Sequence, residues 1–209
     1  MKRIQIKIFI GSALLIILVA GCSKILKEQP RSTFTPDFFK TETGVNGGLT
    51  SLYANLRNIY GNAYYYNSGE TGTDEVTFGQ SADQNFKEMD VSGNGNITPS
   101  AAGNGGSSVP WNSMFSNINT ASGIIENATA VGISNALIAE ARFFRAFDYF
   151  LLVQTYGGVP LDLGSGELKF NITPTTTSVR NTVPEVYTKA VFPDLLTAVN
   201  DLPDAPRVT

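Results

Sequence analysis

The chain has no histidine and a single cysteine, and only 16% of its 209 residues are charged. Each scarcity removes a class of function. Without imidazole there is no His-based catalytic triad, no His metal site and no His general base in this chain. With its only thiol at Cys22, the chain cannot close a disulfide on itself. The fold must therefore rest on an apolar core, which a hydrophobic fraction of 42% can supply. The net charge is −3 and no basic stripe is present, so nucleic acid is not an expected partner. No glycine-rich phosphate cradle stands between a strand and a helix. Asp74 and Glu75 are adjacent, whereas a glycosidase needs two carboxyls facing each other about 5–9.5 Å apart across a sugar. The composition points away from an enzyme, and no cofactor or metal is expected.

What the chain does have begins at its N-terminus. Lys2, Arg3 and Lys7 precede an almost unbroken apolar run from Ile8 to Ala20. That run is short of the roughly 20 residues a spanning helix needs, so it reads as a signal peptide. It closes on Leu18-Val19-Ala20-Gly21-Cys22, small residues leading into the sole cysteine, which resembles a bacterial lipobox. Lipidation at Cys22 is the expectation, and several acyl chains hold a protein at a membrane because each buried CH₂ contributes about 0.8 kcal/mol. Ser23 stands where an acidic residue would favour inner-membrane retention, which leans toward the outer membrane. The expected organisation is a signal peptide at 1–21, a polar tether at 22–36 and a helical body at 37–209.

Within the body, Val45, Leu49, Leu52, Tyr53 and Leu56 have helical spacing and predict a helix from about Thr43. Gly47-Gly48 lies inside it and costs about 1 kcal/mol per glycine relative to alanine, which tertiary packing must offset. From Tyr60 to Pro110 the periodicity disappears into Gly/Asn/Ser clusters and the run Tyr64-Tyr65-Tyr66, which is turn and loop chemistry. A second helix is expected near Pro110-Trp111, with Phe115, Ile118, Ser122 and Ile125 on one face. A third follows Ser134, an N-cap type, with Leu137, Ala141, Phe144, Phe147 and Leu151 as its stripe. Gly157-Gly158-Val159-Pro160 stops it. Thr182-x-x-Glu185 is a capping box that opens the last helix, where Pro193 should force a kink or a split. Leu195, Leu196, Val199 and Leu202 continue that segment.

Several of these stretches together resemble the SusD/RagB family of outer-membrane lipoproteins. Ala139-Glu140-Ala141-Arg142-Phe143-Phe144-Arg145-Ala146, running on to Gln154-Thr155-Tyr156-Gly157-Gly158-Val159-Pro160, is similar to its hallmark helix. Trp111 to Ala121 resembles its Trp-led helix, Thr73-Asp74-Glu75 its short acidic motif, and Val186-Tyr187 to Leu202-Pro203 the helix that follows. The resemblance implies a mainly α fold: a tetratricopeptide-like helical scaffold carrying long irregular loops. It also implies binding of oligosaccharides, or of peptides in some members, at the outer membrane of Bacteroidetes. The implied partner is a TonB-dependent, SusC-like porin on which the protein sits as a lid. Family members are much longer, so the resemblance implies an N-terminal portion of an incomplete domain.

Sugar recognition needs an aromatic ring for the apolar face of a pyranose and planar polar groups for its hydroxyls. Phe78, Gln80, Asp83, Gln84 and Asn85 supply both types on a segment with no periodic reason to be buried. Tyr65, within Tyr64-Tyr65-Tyr66, is a second candidate platform, with helix-to-loop packing as its alternative. In the starch-binding founder the corresponding loop carries tryptophans, and Phe78 stands about where one is expected, so starch itself is not implied. Trp111 reads as core, with a ligand platform as the alternative. Arg142 and Arg145 read as braces between helices.

Overall fold

A computed structural model of the chain describes residues 34–61, 70, 72–77, 79, 108–173 and 175–205. In chain order these form a 3-10 turn at Pro36–Lys40, α1 at Glu42–Tyr60, α2 at Ser108–Ala130 and α3 at Asn135–Tyr156. A last helix follows in three parts: α4 at Val183–Val186, a π turn at Tyr187–Val191 and α5 at Phe192–Asp201. Among the described residues there is no strand, only an isolated bridge between Asp162 and Glu167. The mainly helical expectation is met.

The ends of these helices follow from local chemistry. Thr41 caps α1 by accepting the Gly44 N–H at 3.1 Å. At α3, Ser134 occupies the N-cap but its hydroxyl makes no cap bond; its backbone carbonyl instead accepts the Leu137 and Ile138 N–H groups. Gly157 ends α3 with φ +74°, a conformation that favours glycine. Arg180 then donates to the carbonyls of Tyr156 at 2.9 Å and Gly158 at 2.8 Å, satisfying acceptors the helix end leaves open. A Cβ on Gly158 would run into the Asn181 carbonyl, so the second glycine serves a close approach of two chain segments. The capping box at Thr182 and Glu185 forms in both directions, and its backbone and hydroxyl donors hold the Glu185 carboxyl below its ordinary pKa.

α3 is the central helix, packed against α2 on one side and α5 on another. Of the expected stripe, Leu137, Ala141, Phe144 and Leu151 are buried and Phe147 is partly buried, and Ile138, Ala146, Tyr149, Leu152 and Val153 are buried beside them. One core cluster gathers Phe39, Val45, Leu49, Ile124, Ala141 and Phe144; a second gathers Ile59, Met114, Ile118, Tyr149, Leu152 and Val186. Phe39 explains one glycine of the pair in α1. Its ring lies between α1 and α2, 2.8 Å from where a Cβ on Gly48 would sit and 2.6 Å from one on Gly123. Gly48 is the glycine that packing demands; a Cβ on Gly47 would meet only the edge of Phe38, at 3.4 Å.

The disturbance expected at Pro193 is present: the last helix is divided by a π turn that ends just before it. There the Phe192 N–H reaches back five residues to the Tyr187 carbonyl, a widened turn found where an α-helix takes in an extra residue. The buried face of α5 is not its most apolar one. Asp194 and Ala198 point inward, while Leu196 and Val199 are 66% and 77% exposed.

Candidate functional site

Cys22, Tyr65, Phe78, Gln80, Asp83, Gln84 and Asn85 all lie outside the described residues. The turn carrying Thr73-Asp74-Glu75 is described. The Thr73 hydroxyl donates to the Glu70 carbonyl at 2.9 Å and accepts the Val76 N–H at 3.2 Å, leaving Asp74 and Glu75 exposed. Trp111 is half-buried, its ring 4.7 Å from that of Phe115 and 5.2 Å from that of Tyr156, against the second core cluster. That is a packing role.

The two arginines of the hallmark helix converge on one acid. Arg145 Nε and Nη2 donate to the two oxygens of Asp194 at 2.6 and 3.0 Å, a bidentate pair with both side chains buried. Its Nη1 reaches the Ser122 hydroxyl at 3.2 Å and the Leu168 carbonyl at 3.0 Å. Arg142 adds a third bond to Asp194 at 2.7 Å from a more exposed position. Leu168 offers its carbonyl from a left-handed backbone, φ +61°, which costs a non-glycine residue about 1–2 kcal/mol. The turn before it is held by Asp162, whose Oδ1 accepts the Gly164 and Gly166 N–H groups at 2.7 and 2.8 Å. Those donors keep the Asp162 carboxyl below its usual pKa. The braces expected at Arg142 and Arg145 are therefore present, and they tie α2, α3, α5 and the 162–168 turn together. A shallow cleft of about 360 Å³ runs beside them, lined by Glu126, Arg142, Glu167 and Lys169 among others. Its acids already have partners: Glu126 accepts the Phe170 N–H and Glu167 pairs with Lys189.

A second feature lies between α1 and α2. Where two packed helices would ordinarily present apolar side chains to each other, Ser51, Asn55 and Asn58 face Ser113, Ser116, Asn117 and Thr120 across a groove of about 330 Å³. The Ser113 hydroxyl donates to Asn55 Oδ1 at 2.5 Å, and Asn58 Nδ2 donates to the same oxygen at 2.7 Å. Asn117 is only 5% exposed, and its Nδ2 has no hydrogen-bond partner. Behind it stands Asp148 of α3, fully buried, with both carboxylate oxygens unpartnered. Burial pushes the Asp148 carboxyl up to about 8, opposed by the Asn117 amide that faces it outside hydrogen-bonding geometry, so it is mostly protonated at pH 7. Sequence reasoning did not single out either residue for a role. A signal for Asp148 existed: it lies seven residues after Ala141, on the apolar stripe, where a carboxylate is out of place.

Comparison with known proteins now bears on this arrangement. Residues 35–209 match the model of the SusD-like family described as starch-binding and associating with the outer membrane. SusD-like protein P38 of Formosa agariphila is 27% identical over 153 residues, 72% of this chain and 29% of that protein. SusD-like protein P2 of the same organism is 28% identical over 167 residues, 77% of this chain and 31% of that protein. The chain thus spans under a third of the length of either relative. With the family model covering nearly all of the helical body, this chain belongs to the SusD-like family.

Proposed function

We propose that the chain is part of a lipid-anchored outer-membrane protein that captures oligosaccharides and passes them to a TonB-dependent, SusC-like transporter. The observation that carries this reading is the family match over residues 35–209, downstream of a lipobox ending at Cys22. The family is described by what it binds rather than by a reaction. In this reading residues 1–21 are removed, 22–36 tether the body to the membrane and 37–209 form the N-terminal part of the helical domain. Ligand contact falls to the segment after the Thr73-Asp74-Glu75 turn. Phe78 there offers a stacking ring, and Gln80, Asp83, Gln84 and Asn85 offer planar groups for hydroxyls; Tyr65 is a further platform.

Isothermal titration of the full-length protein against plant, host and microbial oligosaccharides tests the reading. Deleting residues 76–88 should abolish glycan binding while co-purification with the transporter persists. Binding to peptides alone would move the protein to the peptide-importing members. A deletion that spares ligand binding but breaks the transporter complex would make it a structural lid.

A further inference from the structure

We infer that the α1–α2 groove is a separate subsite for one neutral sugar unit, with Asn117 at its floor. The inference goes beyond the loop segment proposed above and requires none of its residues. Three properties of the groove point the same way. First, apart from Ala54 its lining is hydroxyl and amide: Ser51, Asn55 and Asn58 from α1, and Ser113, Ser116, Asn117 and Thr120 from α2. A side-chain amide presents a donor and an acceptor in one plane, which is the arrangement that pairs with two adjacent sugar hydroxyls. Second, no charged side chain lines the groove, and the acid behind Asn117 is mostly protonated at pH 7, so nothing selects for an ion. Third, the floor is under-satisfied. The Asn117 Nδ2 is buried without a partner, and an unmet buried amide donor costs about 1–3 kcal/mol. A rotation of the Asn117 amide turns that donor from Asp148 toward the groove, where a sugar hydroxyl can accept it. Asp148, protonated, then has the Asn117 oxygen to donate to.

The size fits one ring. A groove of about 330 Å³ lies at the small end of ligand sites, which run from about 300 to 1,000 Å³. Its lining includes no aromatic ring, so the contact is polar and edge-on, and the affinity is weak, on the order of millimolar.

The test titrates the full chain with methyl glycosides of glucose, galactose and mannose, with methyl glucuronide as the charged control, and follows the Asn side-chain NH₂ signals by NMR. At least one neutral glycoside should shift those signals with millimolar saturation, and the glucuronide should bind no tighter. Ser116→Leu and, from the opposite wall, Asn58→Leu should each weaken binding at least tenfold. Both positions are exposed, so the thermal midpoint should not change. No saturable shift up to 50 mM (roughly fiftyfold above a Kd of about 1 mM), or unchanged binding in both variants, overturns the inference. Loop deletion of 76–88 separates the two sites. Loss of oligosaccharide binding with monosaccharide binding intact upholds the subsite, and oligosaccharide binding that survives in Ser116→Leu leaves the loop reading standing even if the subsite fails.

Discussion

Asp148 sits with no exposure and no hydrogen-bond partner for either oxygen, and its carboxyl is raised from 3.8 to about 8 by burial. The sign of the consequence is fixed. Below about pH 4 the group is protonated both folded and unfolded, and it has no effect on stability. Between about 4 and 8 the folded state keeps a proton that the unfolded state releases, so stability falls as pH rises, by up to about 1.4 kcal/mol per pH unit. Above 8 the whole loss is present. Asp148→Asn keeps the shape and cannot ionise. Its thermal midpoint should match the parent near pH 4 and exceed it increasingly toward pH 8, as followed by circular dichroism from pH 4 to 9. A difference that is constant across that range would mean the carboxyl does not titrate with folding. The position of this acid was legible, because it interrupts an apolar stripe. Its partnerless state was not, because that depends on what α2 places opposite it.

Among the elements, helices were readable wherever a local device set them. Periodicity located α1, α2 and α3, and Thr182 with Glu185 located the last helix to the residue. What stayed hidden depends on distant partners. Leu196 and Val199 look like core and are exposed; Asp194 looks like surface and is buried, because Arg145 reaches it from 49 positions away. Pro193 announced a disturbance, and it takes the form of a π turn directly before it. The packing of α5 on α3 rests on the ion pair. Arg145→Met leaves Asp194 buried with Arg142 as its only cation, and truncating one partner of a buried pair costs about 3–5 kcal/mol. Urea unfolding should show that loss. The double variant Arg145→Met/Asp194→Leu should recover much of it, since two apolar side chains can replace a buried pair with little penalty. Arg142→Met, half-buried on the rim, should cost less than half as much. Equal losses for the two arginines would refute the assignment of Arg145 as the principal brace.

At the scale of the whole molecule, the helical body and the membrane are separate problems. Among the described residues no helix is long and apolar enough to cross a bilayer. In the proposed reading, attachment falls to Cys22, and the number of acyl chains decides whether it holds. One chain gives only marginal, reversible binding, about 10⁴ M⁻¹, whereas two or more anchor a protein stably. The lipobox reading requires the second case. The parent chain expressed in a Gram-negative host should partition into the detergent phase of a Triton X-114 extract, and mass spectrometry should find its N-terminus at an acylated Cys22. Cys22→Ala removes the thiol that accepts the first lipid and the residue at which the signal is cut. It should leave a product still carrying residues 1–21, with no acyl mass and an unchanged helical circular dichroism spectrum. A parent chain recovered in the aqueous phase with a free thiol would detach the body from the membrane and, with it, the argument that this protein waits beside a transporter.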